Sequence, residues 1–187
     1  GRRLQDPLAE LVKIDPRALG IGQYQHDVDQ NLLNKKLTEV VERSVNRVGV
    51  DVNTASKELL TYVSGLGPTL GENMVALRKQ KGGFAAIDEI KDVDRLGPKT
   101  FQQCAGFLRI ANGENPLDNS GVHPENYDLV ERMSEDLHRA VPDIIGSTFA
   151  REHLTLEDYV SDDAGLPTLQ DIIDELEKPG RDPRPEF

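Results

Sequence analysis

Two short glycine turns contain the residues of this chain whose types and spacing could hold a phosphate group. The sequence VSGLGP at 63–68 returns thirty residues later as VDRLGP at 93–98. In each copy the glycine precedes a proline, which suits the first turn of a helix because its missing N–H is not needed there. The amides of that first turn have no acceptor inside the helix and lie at the positive end of its dipole. The chemistry indicated is therefore anion binding without recognition of a base.

Short helices must position these turns. Apolar residues recur at helical spacing before the first turn, at Leu59, Leu60 and Val63, and after it, at Leu70, Met74, Val75 and Leu77. The segment 86–93 repeats the first helix in the second copy, and the leucine between the two turn positions is expected to point inward. A helix, a tight turn and a second helix opening with proline together form a helix-hairpin-helix.

The two copies differ in ways that bear on phosphate binding. Gly65 and Gly67 predict a turn with positive φ, which glycine adopts without a steric penalty. Arg95 replaces the first glycine in the second copy, whereas Lys99 adds a cation directly after the proline. One copy alone would favour an ordinary turn between packed helices. Two copies in register favour a phosphate-binding pair.

The candidate nucleic-acid-binding residues follow from these turns and from the basic end of the helix after the first one. They are Gly65, Leu66, Gly67, Thr69, Arg78, Lys79, Arg95, Gly97 and Lys99. For Arg78 and Lys79 a solvated helix C-terminus that suits the dipole is an equal alternative to phosphate contact.

No catalytic or metal-binding constellation is expected. The four histidines lack the spacing of metal ligands, and Cys104, the single cysteine, fits a small buried residue better than a reactive thiol. We therefore expect no cofactor, no metal and no enzymatic activity. The lone cysteine also fits a reducing compartment.

Charge is distributed unevenly along the 187 residues. The net charge is −11, yet residues 61–110 carry seven Lys+Arg against five Asp+Glu, whereas residues 111–187 carry six against nineteen. No dense basic helix is present for sequence-specific binding in the major groove, but a few contacts to backbone phosphates remain compatible with this balance. No apolar run is long enough to predict a membrane span.

The remaining patterns are helical. A stripe of apolar residues predicts a long helix over 28–47, and helices with capping boxes at Thr155 and Thr168 follow after residue 112. Residues 48–52 are too short to predict a strand, so the fold class expected is all-α. The expected organisation is a connector at 1–27, a long connecting helix at 28–47, tandem hairpins at 48–111, an acidic helical region at 112–178 and a linker at 179–187.

Several long segments resemble the Tex family of transcription accessory proteins, and the hairpin region is similar to the DNA-binding module of the competence protein ComEA. The segments that carry the resemblance are 4–12, 22–28, 50–56, 82–84, 103–110, 115–119 and 178–184. The resemblance implies a cytoplasmic, multidomain nucleic-acid-binding protein in which an RNase H-like domain precedes this region and an OB-fold follows. Residues 1–27 would then be the tail of the former and 179–187 the link to the latter, in a central fragment of a longer protein.

Two functions are consistent with the sequence. The first is sequence-independent binding of the DNA or RNA backbone by both hairpins, with the transcription machinery as a further partner and a monomer favoured. The second is a structural platform that positions flanking domains or docks a protein, which the acidity of 111–187 favours.

Overall fold

The computed structural model describes residues 10–20 and 22–179. The long predicted helix is present as α1, Gln30–Val48. It begins two residues later than predicted, because the Asp29 carboxylate accepts hydrogen bonds from the amides of Asn31 and Leu32 in the first turn of the helix. None of its side chains is fully buried, so α1 lies on the surface of the hairpin region.

The hairpin region is built from α2 (Lys57–Thr61), α3 (Pro68–Lys81) and α4 (Pro98–Cys104). Ser56 caps α2, since its hydroxyl accepts from the Leu59 amide at 3.2 Å. The predicted helix over 86–93 is a 3-10 helix, Ile87–Asp92, which replaces the α-helix of the first copy. Apolar side chains from all these elements form one core, which includes Val52, Leu60, Met74, Ile90, Cys104 and Leu108.

Two strands of two residues each close this region. β1 (Val50–Asp51) pairs in parallel with β2 (Leu108–Arg109), and the amide of Val52 donates to the carbonyl of Arg109 at 3.0 Å. The sequence did not predict strands, because segments this short show no alternating pattern. Among the described residues these are the only strands, and the fold is all-α as predicted.

Residues after 115 form a second helical unit with its own core. It contains α5 (Tyr127–Asp136), α6 (Val141–Ile144), α7 (Phe149–His153) and α8 (Leu166–Glu177), with 3-10 helices at Pro116–Asn119, Pro124–Asn126 and Leu156–Tyr159. The imidazole of His123 accepts from the Glu125 amide at 3.3 Å, as expected of a cap. α8 begins before Thr168, so that residue lies inside the first turn and does not cap it. The core includes Val130, Met133, Ile144, Leu169, Ile173 and Leu176.

Asp118 joins the two units. Its side chain is 3% exposed, and its two carboxylate oxygens accept from the Ile87 amide at 3.1 Å and from the Tyr127 hydroxyl at 2.8 Å. Its own carbonyl accepts from the Ile110 amide at 2.9 Å. Burial raises the pKa of Asp118 above its usual value. The turn-rich segment at 112–121 is therefore a fixed joint, although its composition suggested a linker.

Parts of the predicted organisation fall outside the described residues. These are the first nine residues of the connector at 1–27, with the start of its first helix, and nearly all of the linker at 179–187. Within the described part of the chain no helix is long and apolar enough to cross a membrane.

Candidate nucleic-acid interface

The first hairpin turn needs glycine at position 65. Gly65 has a φ of +83°, and a Cβ built on it would lie 2.9 Å from the Cβ of Gln103. Leu66 is 7% exposed and its amide donates to the Val63 carbonyl at 2.9 Å, so it pins the turn as expected. The side-chain oxygen of Asn46 accepts from the Ser64 amide at 3.0 Å and ties the turn to the end of α1.

The second turn keeps the same backbone without glycine. Arg95 has a φ of +65°, so the substitution does not abolish the left-handed turn. The Leu96 amide donates to the Val93 carbonyl at 3.0 Å, and Leu96 is buried like its counterpart in the first copy. The side chain of Arg95 is 75% exposed, which leaves its guanidinium at the surface beside the turn.

Each turn packs against the second helix of the other hairpin. Gly65 lies against Gln103 of α4, and the side-chain amide of Asn73 in α3 donates to the Asp94 carbonyl at 2.9 Å. Asn73 and Gln103 are themselves thirty residues apart, so the contact is reciprocal. The two hairpins are thus packed against each other through their turns.

Gly67 does not have the predicted positive φ, and Gly97, its counterpart in the second copy, does not have a positive φ either. Gly67 has a φ of −122° and Gly97 a φ of −80°, which other residues also adopt. A Cβ added at either position would meet nothing within 4 Å. The fold itself therefore does not require glycine there, and the absent side chain leaves the backbone open to approach from outside.

The amides beside these glycines have no acceptor within the described chain. The first helical hydrogen bonds are those of Gly71 to the Gly67 carbonyl and of Phe101 to the Gly97 carbonyl. The amides of residues 69, 70, 99 and 100 precede these bonds and lack a partner among the described residues. Thr69 and Lys99 are exposed, so both turns present free donors at the surface.

Arg78 and Lys79 lie away from the turns. Ten residues of helix separate Arg78 from Pro68, roughly 15 Å along the axis of α3. The Arg78 guanidinium donates to the carbonyls of Val52 and Ala55 at 2.6 and 2.7 Å, so it holds the segment that leads into α2. Lys79 is exposed on the opposite end of α3 from Thr69.

Several polar residues that shape the turns were not identified from the sequence. Asn46 and Asn73 each bind one turn, and Asn53 exchanges two hydrogen bonds with the backbone of Phe84 at 2.8 and 2.9 Å. Alignment of the two copies would have paired Asn73 with Gln103 as two amides at one position. Asn46 and Asn53 lie outside the repeat and have no such signal.

Few cations of the hairpin region are free of acidic partners. Lys81 contacts Glu89 at 2.6 Å and Asp92 at 3.0 Å, and these partners raise its pKa. At the turns themselves, Arg95 and Lys99 are exposed, and the Arg95 guanidinium lies 3.7 Å from the Asp94 carboxylate. Burial raises the pKa of Cys104 to about 11, so its thiol is protonated at neutral pH as expected of a core residue.

Comparison with known protein families places both helical units in one class. The model for the helix-hairpin-helix motif matches residues 45–109, which contain both turns, and a second model, described as an HHH domain, matches residues 115–184. The described chain is thus a helix-hairpin-helix protein along most of its length.

Comparison with individual relatives identifies the family within the helix-hairpin-helix class. The chain is 58% identical to Protein tex of Bordetella pertussis, 56% to Protein YhgF of Escherichia coli K12 and 53% to Transcriptional accessory protein Tex of Neisseria gonorrhoeae. Each alignment covers the whole chain and about a quarter of the relative, 24% or 25% of its length. The chain belongs to the Tex family of transcription accessory proteins.

The second matched domain was not recognised as a hairpin domain from its sequence, because it lacks a Leu-Gly-Pro turn. His138 provides a positive φ of +51° between α5 and α6. There the amides of His138 and Arg139 donate to the carbonyls of Glu135 and Ser134 at 3.0 and 3.1 Å. This turn therefore pairs amides with nearby carbonyls, as the Leu66 and Leu96 amides do at the turns at 65 and 95.

Proposed function

We propose that this chain binds the sugar-phosphate backbone of DNA or RNA without reading its sequence, through the turns at 65–69 and 95–99. It acts as a non-enzymatic module of a cytoplasmic transcription accessory protein. The observation that carries the proposal is the pair of glycines at 67 and 97. Both have ordinary dihedral angles and open surroundings, so their missing side chains serve something that approaches from outside.

The free backbone amides at the turns also favour a phosphate ligand. At the first turn the amides of Thr69 and Leu70 are free, and α3 is 14 residues long, so its dipole adds to their attraction for an anion. At the second turn α4 has only seven residues, and the exposed cations Arg95 and Lys99 supply most of the attraction. Backbone amides carry no information about bases, which is why binding is independent of sequence.

The test is a salt titration of binding by fluorescence anisotropy, with single- and double-stranded DNA and RNA of one length. Two turns reach few phosphates, so we expect a log–log slope of roughly −2 to −4 and affinities of about 10⁻⁴ to 10⁻⁶ M at physiological salt. Sequence permutation of each probe should leave its affinity unchanged.

Matched variants test whether the nucleic acid contacts the backbone at Gly67 and Gly97. Gly67→Val and Gly97→Val each place a branched side chain over the free amides without strain in the fold, and each should weaken binding about tenfold, the loss of one charge-assisted hydrogen bond. Unfolding free energies should change by less than about 0.5 kcal/mol, as for other exposed sites. Full affinity in the double variant would contradict the proposal.

A structural platform is the second candidate. It is favoured by the joint at Asp118, which fixes the hairpin region to an acidic unit. Absence of binding to all four nucleic acids at low salt would leave this candidate in place.

A further inference from the structure

A groove opens beside the second hairpin turn. It has a volume of about 570 Å³ and begins at Gly97 and Pro98. Its wall is apolar, with Leu96 and Phe101 on the hairpin side and Pro124 on the side of the second unit. The groove is therefore continuous with the backbone that we propose to contact phosphate.

The origin of the groove is one difference between the two copies. At the offset of thirty residues, Phe101 stands where the first hairpin has Gly71. Gly71 is buried, and a Cβ added to it would lie 3.2 Å from the Lys57 carbonyl, so α2 and α3 are in close contact. The ring of Phe101 prevents such an approach in the second hairpin, where it lies under the Lys91 ammonium at 4.8 Å.

The charges around the groove do not favour an anion inside it. Lys91 is paired with Asp88 at 2.7 Å, and Glu125 accepts from the Gln102 amide at 3.2 Å. Two carboxylates and one ammonium thus surround an apolar wall. An uncharged planar group with polar edges fits this lining, whereas a second phosphate would be repelled.

We propose that the groove receives an unpaired base of the strand whose phosphate lies at the second turn. This proposal rests on the proposed backbone-binding function and adds a preference for single strands. A base is uncharged and is attached to the phosphate at Gly97, and its edge can pair with the amide of Gln102 or the carboxylate of Glu125. A base within a duplex has its faces stacked and its edge paired, so only an unpaired base enters.

The experiment compares three probes with the unmodified full chain: a 12-nucleotide oligodeoxythymidylate, an abasic phosphodiester strand of the same length, and a 12-base-pair duplex. Backbone contacts alone give the two single strands equal affinity. Contact with one base is expected to make the oligodeoxythymidylate bind at least about fivefold more tightly than the abasic strand, the lower end for a base against an apolar side chain. The duplex should bind more weakly than the oligodeoxythymidylate as well.

Gln102→Phe fills the groove from its exposed rim. It should reduce the affinity for oligodeoxythymidylate to that for the abasic strand. Glu72→Phe is the matched control, because residue 72 is the counterpart of residue 102 in the first hairpin and does not line the groove. It should keep the preference for the normal strand. Circular dichroism and thermal unfolding of both variants establish that the helices are retained.

The outcomes separate the two proposals. Equal affinity of the unmodified chain for the normal and abasic strands overturns the groove proposal and leaves backbone binding intact. Retention of the preference in a folded Gln102→Phe variant also overturns it. Loss of all binding, to the abasic strand and the duplex included, overturns the backbone function and the groove proposal together.

Discussion

The two hairpins are copies of one motif that share a fold but differ in what their surfaces offer. Both have a left-handed residue at the first turn position, a buried leucine after it and an open glycine before the proline. They differ at residues 65 and 95, at 69 and 99, and at 71 and 101. The shared positions form the turn, whereas the differing ones set charge and access. The two copies therefore keep the turn itself and differ in the contacts available to a ligand.

The largest effect on stability is expected at residue 65, because the first turn needs glycine there whereas the second turn has arginine at the matching position. Gly65→Val combines a branched residue at positive φ with a Cβ only 2.9 Å from that of Gln103. Strain and overpacking together should lower the free energy of unfolding by about 2 to 4 kcal/mol, measured by urea denaturation. Arg95→Gly is the control in the other copy and should change stability by less than about 1 kcal/mol. Similar effects of both changes would contradict the distinction drawn between the turns.

The second prediction separates support of a hairpin from contact with a ligand. Arg78→Ala removes hydrogen bonds from a guanidinium to the Val52 and Ala55 carbonyls, and should cost about 1.5 to 3 kcal/mol of stability. The folded variant should bind nucleic acid as tightly as the unmodified chain. Lys79→Ala, its exposed neighbour, should change stability by less than about 0.5 kcal/mol. A selective loss of affinity in Arg78→Ala, with stability kept, would return Arg78 to the interface.

The third prediction concerns the joint at Asp118, whose side chain binds the second hairpin through the Ile87 amide and does not bind the first hairpin. Tyr127→Phe removes one of the two hydrogen bonds to the buried Asp118 carboxylate, and should cost about 1 to 2 kcal/mol. Amide hydrogen exchange should rise around Ile87, whose N–H donates to the same carboxylate, and less around the first turn. Equal increases of hydrogen exchange in both hairpins would show that the joint stabilises the whole hairpin region.

The same carboxylate gives a pH dependence whose sign follows from its raised pKa. The folded state binds the proton of Asp118 more tightly than the unfolded state does, so this contribution to stability is present below the ordinary aspartate pKa of 3.8 and is lost as pH rises through the raised pKa. Stability of the unmodified chain relative to Asp118→Asn should therefore fall as pH rises above about 4. A relative stability that rises over this range would contradict the assignment.

The smallest effect tests the charges of the second turn. Lys99→Ala should reduce the salt slope of binding by about one and lower affinity modestly, because one cation that meets a phosphate is removed. Thr69→Ala, its counterpart in the first hairpin, should leave the slope unchanged. Neither change should affect stability by more than about 0.5 kcal/mol. An unaltered slope in Lys99→Ala would exclude the second turn as a cationic phosphate site.

Much of the hairpin region could be predicted because its signals are local and repeated. Leucine, glycine and proline in fixed order define a turn and the start of a helix, and the repeat doubles the signal. The positive φ predicted for Gly67 was wrong, since a glycine has two reasons to occur, conformation and small size, and the sequence does not separate them. The structure assigns conformation to Gly65 and small size to Gly67 and Gly97.

What could not be predicted depends on contacts between distant residues. Arg78 looks like a surface cation at a helix end, and only the tertiary fold brings the carbonyls of Val52 and Ala55 to it. Asp118 lies in a segment whose composition is that of a linker, yet it is buried between two units. The second hairpin domain lacks the Leu-Gly-Pro sequence that marks the first two turns, so its helices were predicted but its class was not.

The pairing of β1 with β2 has a mechanical consequence. The chain enters the hairpin region at Val50 and leaves it at Arg109, and these two ends lie side by side in parallel. Tension applied from either side of the region pulls parallel strands past each other, so their hydrogen bonds share the load and do not open one at a time. A protein that holds a nucleic acid under traction would thus transmit force around the hairpins while the turns stay folded. Optical-tweezer extension should show 50–109 yielding in a single step, and stepwise opening of the hairpins at low force would contradict this.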